Sequence, residues 1–321
     1  MPLPRNGEVM PKPRITIIGL GLIGGSIGLA LQKVKTNFEI VGHDREHSIA
    51  GRAHKLGAID RTEWNLISAV EGADLIIIAT PVMAIREVFA AIAPYLRPDC
   101  IVTDTASTKQ QVMGWAQEML SETVSFVGGD PMVSKGESGI EAADADLFVD
   151  AVYCLTPLPS AKPEAVKLLV DLVSLIGARP YFLDAAEHDG LVAGVNHLPF
   201  ILSTALVNAT AQSPSWREMR KLTSYAFRNA THLAPGDPAT YRDICLTNRR
   251  SIVRWIDTYL ESLKELREAV AAEDTEGLEG IFKETLVARE EWLRGGQEDL
   301  WGAPTEAVRP PRRGLLLGRI G

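Results

Sequence analysis

Residues Arg14–Leu31 read RITIIGLGLIGGSIGLAL, and no other stretch constrains the fold as tightly. An apolar run, Ile15–Ile18, leads directly into Gly19-x-Gly21-x-x-Gly24. A helix-like segment, Leu22–Val34, follows. A second apolar run, Glu39–Gly42, then ends at Asp44, twenty positions past Gly24. Strand, glycine turn, helix, strand and acid in that order form the context of a dinucleotide-binding βαβ unit. In such a unit Gly19 permits the tight turn, Gly21 lets a pyrophosphate approach the backbone, and Gly24 lets helix and strand pack closely. The N–H groups of Leu22, Ile23 and Gly24 at the helix start present partial positive charge to the phosphates. Asp44 can accept hydrogen bonds from the adenosine ribose and would repel a 2′-phosphate, which favours NAD over NADP. Arg45 beside it softens that repulsion or stacks on adenine.

A membrane anchor or signal peptide is the rival for this stretch, because Ile15–Leu31 is uncharged and follows Lys12 and Arg14. Against it, the run carries five glycines, falls short of a ~20-residue span and has no small-residue cleavage site. No transmembrane segment is expected elsewhere. The net charge of -8 argues against nucleic acid as a partner, since neutralising phosphates needs a basic face. Cys100, Cys154 and Cys245 are odd in number and unpaired in spacing, as in a reduced, cytoplasmic protein, and no cluster has metal-ligand spacing.

The rest of the 321 residues suits two domains. Expected strands are Ile15–Leu20, Glu39–Asp44, Leu75–Thr80, Ile101–Thr105, Ser125–Gly129, Val152–Thr156 and Pro180–Asp184. Helical patterns such as Met83–Leu96 and Pro163–Ile176 alternate with them. That alternation predicts an α/β, doubly wound parallel sheet over 14–184. Thr80 and Pro81, at the end of one strand, and Ala106 and Ser107, after another, are expected at the carboxyl edge, where such sheets bind cofactor. Beyond Asp184 the pattern is helical: Ala186–Gln212, Ser215–Ala230, Pro238–Ala272 and Thr275–Arg294. This predicts an all-α domain over 185–297. Ile252, Trp255, Tyr259, Leu263, Leu266 and Val270 recur every three or four residues, a stripe that suits a homodimer interface. Residues 1–13 read as a loose leader and 298–321 as a disordered tail.

Seven segments resemble the prephenate/arogenate dehydrogenase family of tyrosine biosynthesis. They are GLGLIGGS (Gly19–Ser26), ATPV (Ala79–Val82), TDTASTK (Thr103–Lys109), VGGDPM…SGIEAADADLF (Val127–Phe148), CLTP (Cys154–Pro157), EHD…NHLP (Glu187–Pro199) and FRNATHLAPGDPATYRDI…N (Phe227–Asn248). The resemblance implies a Rossmann domain, a helical dimerisation domain, and NAD-dependent oxidative decarboxylation of a cyclohexadienol acid. Ser107, Lys109, Asn196, His197 and Arg228 are the substrate-side residues it carries over. Asp130 stands where the family usually has the histidine that hydrogen-bonds the ring hydroxyl. Gly136 replaces a glutamate, Phe200 a second histidine, and His232 the arginine that grips a substrate carboxylate. A relative that acts on another cyclic hydroxy acid, or a catalytically silent NAD-binding dimer, therefore stands beside the dehydrogenase reading.

Each site residue also has a plainer role. Asp130 is either a turn aspartate or a carboxylate base at the sheet edge. Ser107 caps a helix starting at Thr108, touches substrate, or does both. His197 is a core histidine or a substrate contact, and next in line as base after Asp130. Arg228 grips a carboxylate or pairs at the dimer surface. His43, His47 and His54 are placed on the surface near the adenosine.

Overall fold

The computed structural model describes residues 12–35, 37–133, 135 and 137–294. Gly136, most of the 1–13 leader and the 298–321 tail lie outside the described residues.

Eight strands form one sheet: β1 (Arg14–Ile18), β2 (Glu39–His43), β3 (Arg61–Thr62), β4 (Leu75–Ile78), β5 (Ile101–Asp104), β6 (Ser125–Pro131), β7 (Val152–Pro157) and β8 (Arg179–Phe182). Their order is β3-β2-β1-β4-β5-β6-β7-β8. The chain winds outward from β1 in both directions, so the β1/β4 boundary is the topological switch point. The expected parallel arrangement holds except at one place: β7 runs antiparallel to β6. Among the described residues of 132–151 between them there is a 3-10 turn, Ile140–Ala142, and no crossover helix that would carry the chain back to the starting edge. The sequence reading also lacked β3, whose two residues carry no apolar run.

The helices before residue 184 are α1 (Leu22–Val34), α2 (His47–Lys55), α3 (Leu66–Val70), α4 (Val82–Ile92), α5 (Gln110–Met119) and α6 (Pro163–Leu175). They cover both faces of the sheet. Ile15, Ile17, Leu75 and Ile77 pack on one side with Ile27, Leu31 and Leu169. Ile18, Ile76 and Ile78 pack on the other with Ile85, Phe89 and Val112. With both faces dry, the strands read as continuous apolar runs rather than alternating ones.

The glycine turn is held by close contact. Gly19 sits at φ +89, and a Cβ there would lie 2.5 Å from the Ala79 carbonyl oxygen. A Cβ on Gly24 would lie 1.9 Å from the Gly19 oxygen, whereas one on Gly21 would meet nothing within 4 Å. The Asp44 carboxylate accepts the Leu20 N–H at 2.8 Å, which ties the end of β2 to the turn.

Beyond Leu183 the chain is helical: α7 (Ala185–Val192), a π-helical turn (Ala193–His197), α8 (Leu198–Ala211), α9 (Trp216–Met219), α10 (Tyr225–Ala230), α11 (Pro238–Thr247), α12 (Arg249–Ala271) and α13 (Thr275–Arg294). Three of the four expected helices are interrupted. The first takes the π turn just before Pro199, which has no N–H to continue the ladder. The second breaks between Met219 and Tyr225. The third breaks at Asn248, whose side chain is committed elsewhere. Ala185–Ala211 as a whole, 27 residues with mean hydropathy 1.6, is long and apolar enough to cross a membrane, a segment that the sequence reading did not flag. It carries His188, Asp189 and His197 buried, and two of these bond to groups on or beside the sheet.

The described residues form two compact units, one up to Arg249 and the other from Arg250 onward. The second holds α12 and α13. There Ile252 is buried, while Tyr259, Leu263 and Val270 of the expected stripe are exposed.

The two glycines of the turn make a paired test. Gly24→Ala should lower the melting temperature, at a cost of about 1–3 kcal/mol or more for overpacking. Gly21→Ala should melt like the wild type, because its Cβ enters open space at an ordinary φ of -73. Equal melting temperatures for the two variants would contradict the packing described.

Candidate active site

The carboxyl ends of β1, β4, β5 and β6 share one edge of the sheet, and the chemistry-bearing side chains gather there. Asp104 ends β5 with no exposed surface. Its carboxylate accepts the N–H groups of Ala106 at 2.9 Å and Gly129 at 3.2 Å. The Lys109 ammonium pairs with it and also donates to the Gly129 carbonyl at 2.7 Å. Lys109 was expected to face substrate. Its side chain is instead fully buried, and its charge neutralises Asp104.

Asp130 lies on β6, 3% exposed. His188, on α7, places Nε2 3.1 Å from Asp130 Oδ2 and Nδ1 3.0 Å from Asp189 Oδ1. Burial pushes the Asp130 carboxyl up, the His188 hydrogen bond and charge pull it back, and the result is about 6. Burial disfavours a charged His188, but its two carboxylate partners outweigh that and raise its pKa. Beside them, burial pushes the Cys154 thiol up to about 12, and the Tyr153 hydroxyl is pushed upward for the same reason.

Asp189 has a second task. It accepts the N–H of Lys109 at 2.6 Å and of Gln110 at 3.0 Å, the unpaired donors at the start of α5. The capping role expected of Ser107 thus belongs to a residue of the helical layer. Helix α5 begins at Gln110, and its N-cap Lys109 makes no side-chain cap bond.

His197 ends the π turn, 2% exposed. Asn248 donates from Nδ2 to the Asp189 carbonyl at 2.7 Å, which fixes its amide orientation, and the same Nδ2 lies 3.3 Å from His197 Nδ1. Nδ1 therefore accepts, and the ring proton sits on Nε2. The Ser107 main chain is close enough to favour the charged ring slightly. It lies outside hydrogen-bond geometry, so buried Nε2 has no partner among the described residues. Burial holds the pKa down at about 4. A ring in this state offers a hydrogen bond from Nε2–H.

The remaining residues divide. Ser107, half-buried, is near His197. Asn196 is exposed, with Nδ2 3.5 Å from Met132 Sδ just past β6. Phe200 is buried and stacks on Tyr241 at 3.9 Å between ring centroids. Arg228 and His232 are exposed. His232 Nδ1 lies 2.6 Å from the Asn229 carbonyl, and no hydrogen bond joins either residue to the buried cluster among the described residues. The sequence reading did not single out Asp104, His188, Asp189 or Asn248 as site residues. All four lie inside the segments that carry the family resemblance, and that was the available signal.

The nucleotide end fits a dinucleotide. The space at Gly21 is open, and α1 has no side-chain cap on its first N–H groups. Thr80 Oγ1, buried, has no partner among the described residues. Asp44 gives one oxygen to the Leu20 N–H and the other to the Glu46 N–H at 2.9 Å. Lone pairs remain on both for ribose hydroxyls.

Residues 27–182 match the family model described as prephenate dehydrogenase, nucleotide-binding domain, and residues 184–284 match its dimerization domain. The chain is 36% identical over 274 residues to prephenate dehydrogenase of Bacillus subtilis (strain 168), covering 85% of this chain and 74% of that protein. It is 32% identical over 277 residues to cyclohexadienyl dehydrogenase of Zymomonas mobilis, covering 86% and 94%. Among solved structures, prephenate dehydrogenase from A. aeolicus in complex with hydroxyphenyl propionate and NAD+ superposes with TM-score 0.82 at 26% identity, covering 88% of this chain and 99% of that one. Two domain models end to end, and relatives matched over most of their length, show that this chain is a member of the prephenate dehydrogenase family, a nucleotide-binding oxidoreductase.

Proposed function

We propose that this dehydrogenase uses NAD to carry out oxidative decarboxylation of prephenate or arogenate, with Asp130 as the group that receives the ring hydroxyl. The observation that carries the reading is the buried Asp130–His188 pair at the sheet edge that also holds the glycine turn. NAD supplies the hydride acceptor. Gly19, Gly21, Gly24, the first N–H groups of α1, Asp44, Arg45, Thr80, Pro81 and Ala106 form its proposed seat. The hydride leaves the ring carbon that bears the hydroxyl. The bond to the ring carboxylate then breaks, its electron pair restores the aromatic ring, and carbon dioxide departs. The hydroxyl proton is shared with Asp130 during hydride loss and stays with the phenol, so the sum needs no net proton removal. His197 Nε2–H and Ser107 are proposed to donate to substrate oxygens near Asp130.

The domain reading is a nucleotide-binding region over 14–184 and a helical region over 185–297, in line with where the family models meet. The helical region is proposed to form a homodimer. Leu191, Val195 and Leu206 in one unit, and Leu263 and Val270 in the other, are all more than a third exposed. Faces this apolar call for a partner. Light scattering at micromolar concentration should give twice the 34.9 kDa chain mass, and a stable monomer would overturn this.

NAD reduction should be assayed with prephenate and arogenate side by side, together with NAD binding alone. Turnover supports the reading, with arogenate ahead because its ammonium lessens repulsion by Asp130. Binding without turnover would favour the silent dimer. Asp130→Asn should lower kcat by ~10²-fold or more, the usual scale for a lost acid–base group, with NAD affinity unchanged. Wild-type kcat/KM should fall as pH drops below about 6, where Asp130 takes up its proton. Full activity in Asp130→Asn removes the assignment.

Asp44 sets the cofactor preference. NAD should bind more tightly than NADP, and Asp44→Ala should narrow the gap, because a carboxylate beside a 2′-phosphate costs Coulomb energy. Titration by intrinsic fluorescence reads both affinities, and tighter NADP binding by the wild type would refute the assignment.

A further inference from the structure

His188 takes no part in the reaction as proposed, yet both of its ring nitrogens are committed. It has no exposed surface, and each ring nitrogen ends on a carboxylate. A neutral imidazole has one N–H and one lone pair, whereas ionised carboxylates only accept. Two such partners are both satisfied only when the ring carries both protons. Asp189 has other donors, the N–H groups of Lys109 and Gln110. Asp130 takes its side-chain hydrogen bond from His188.

The charged and titratable groups facing this pair come from every element around it. Lys109 and Asp104 face it from the β5 end and compensate each other. Tyr153 and Cys154 on β7 are held neutral by burial. His197 on the π turn is likewise held neutral. His188 is thus the one basic side chain in direct contact with Asp130 among the described residues.

We propose that His188 is a positioning residue: clamped between Asp130 and Asp189, it holds the Asp130 carboxylate ionised and in a single orientation toward the substrate hydroxyl. This rests on the reading of Asp130 given above. An isolated buried carboxyl takes up a proton and stops accepting. An imidazolium at 3.1 Å offsets part of that cost and keeps the carboxyl near 6 rather than higher. Asp189 links the arrangement to the start of α5, so the Ser107 loop, Asp130 and His188 are placed by one network.

The test compares kcat/KM pH profiles of the wild type, His188→Gln and Asp130→Asn. Glutamine can still donate to Asp130 but carries no charge. Its acid limb should move to higher pH by about one unit, giving roughly tenfold lower activity near the limb that recovers as pH rises. NAD affinity should not change. A purely structural role would lower activity equally at every pH and leave the limb in place, and that outcome overturns the proposal. Loss of the limb in Asp130→Asn with an unmoved limb in His188→Gln would keep Asp130 as acceptor and discard only His188. Full activity in Asp130→Asn would discard both. If His188→Gln does not fold, histidine nitrogen NMR on the wild-type protein decides. His188 should carry protons on both ring nitrogens at pH 7, and a neutral ring refutes the proposal.

Discussion

A carboxylate and an ammonium with no solvent contact hold this site together. Asp104 and Lys109 lie only five residues apart, yet between them they bond the Ala106 N–H, the Gly129 N–H and the Gly129 carbonyl. One ion pair therefore fixes the end of β5, the loop after it and the middle of β6. Removing either partner would strand a buried charge, a loss on the order of 3–5 kcal/mol. Asp130 is the residue after Gly129, so its position follows from the pair. Gly129 itself admits no larger side chain, since a Cβ would lie 2.6 Å from the Asp104 carbonyl.

The helical layer is joined to this centre by polar contacts. Asp189 caps α5 from a different part of the chain, and Asn248 reaches both the Asp189 carbonyl and His197. Thr108 donates to Thr247 at 3.0 Å within the same buried region. Apolar contacts alone would let the helices slide over the sheet edge. Directional bonds to buried groups fix their register, because a misplaced group would be left unsatisfied.

The nucleotide half was legible in the sequence because its constraints are local. Gly19, Gly21, Gly24 and Asp44 lie within one supersecondary unit, and each answers to a short-range steric or charge requirement. The apolar runs gave seven of the eight strands, and β3 was too short to carry a pattern. The other half was not legible in the same way. His188 and Asp130 are 58 positions apart, and nothing near either residue announces the other. Lys109 was carried over as a substrate-side residue from the family resemblance, and a charged side chain is seldom fully buried. Only its partner Asp104 explains the exception. The direction of β7 was missed because apolar alternation reports burial and not strand sense. Helix breaks at Pro199 and Asn248 escaped a pattern that counts apolar spacing alone.

The π turn sets the angular phase of the longest apolar segment. At 100° per residue, two positions nine apart on an unbroken α-helix point about 180° away from each other. His188 and His197 are such a pair, and both are buried at the same centre. One residue of extra backbone in the Ala193–His197 turn takes back about 100° of that rotation. Val195, in the middle of the turn, is the residue pushed outward, 72% exposed. The helix thus gives up one regular turn of its ladder, and in exchange two imidazoles that helical geometry would hold on opposite sides both face the buried centre.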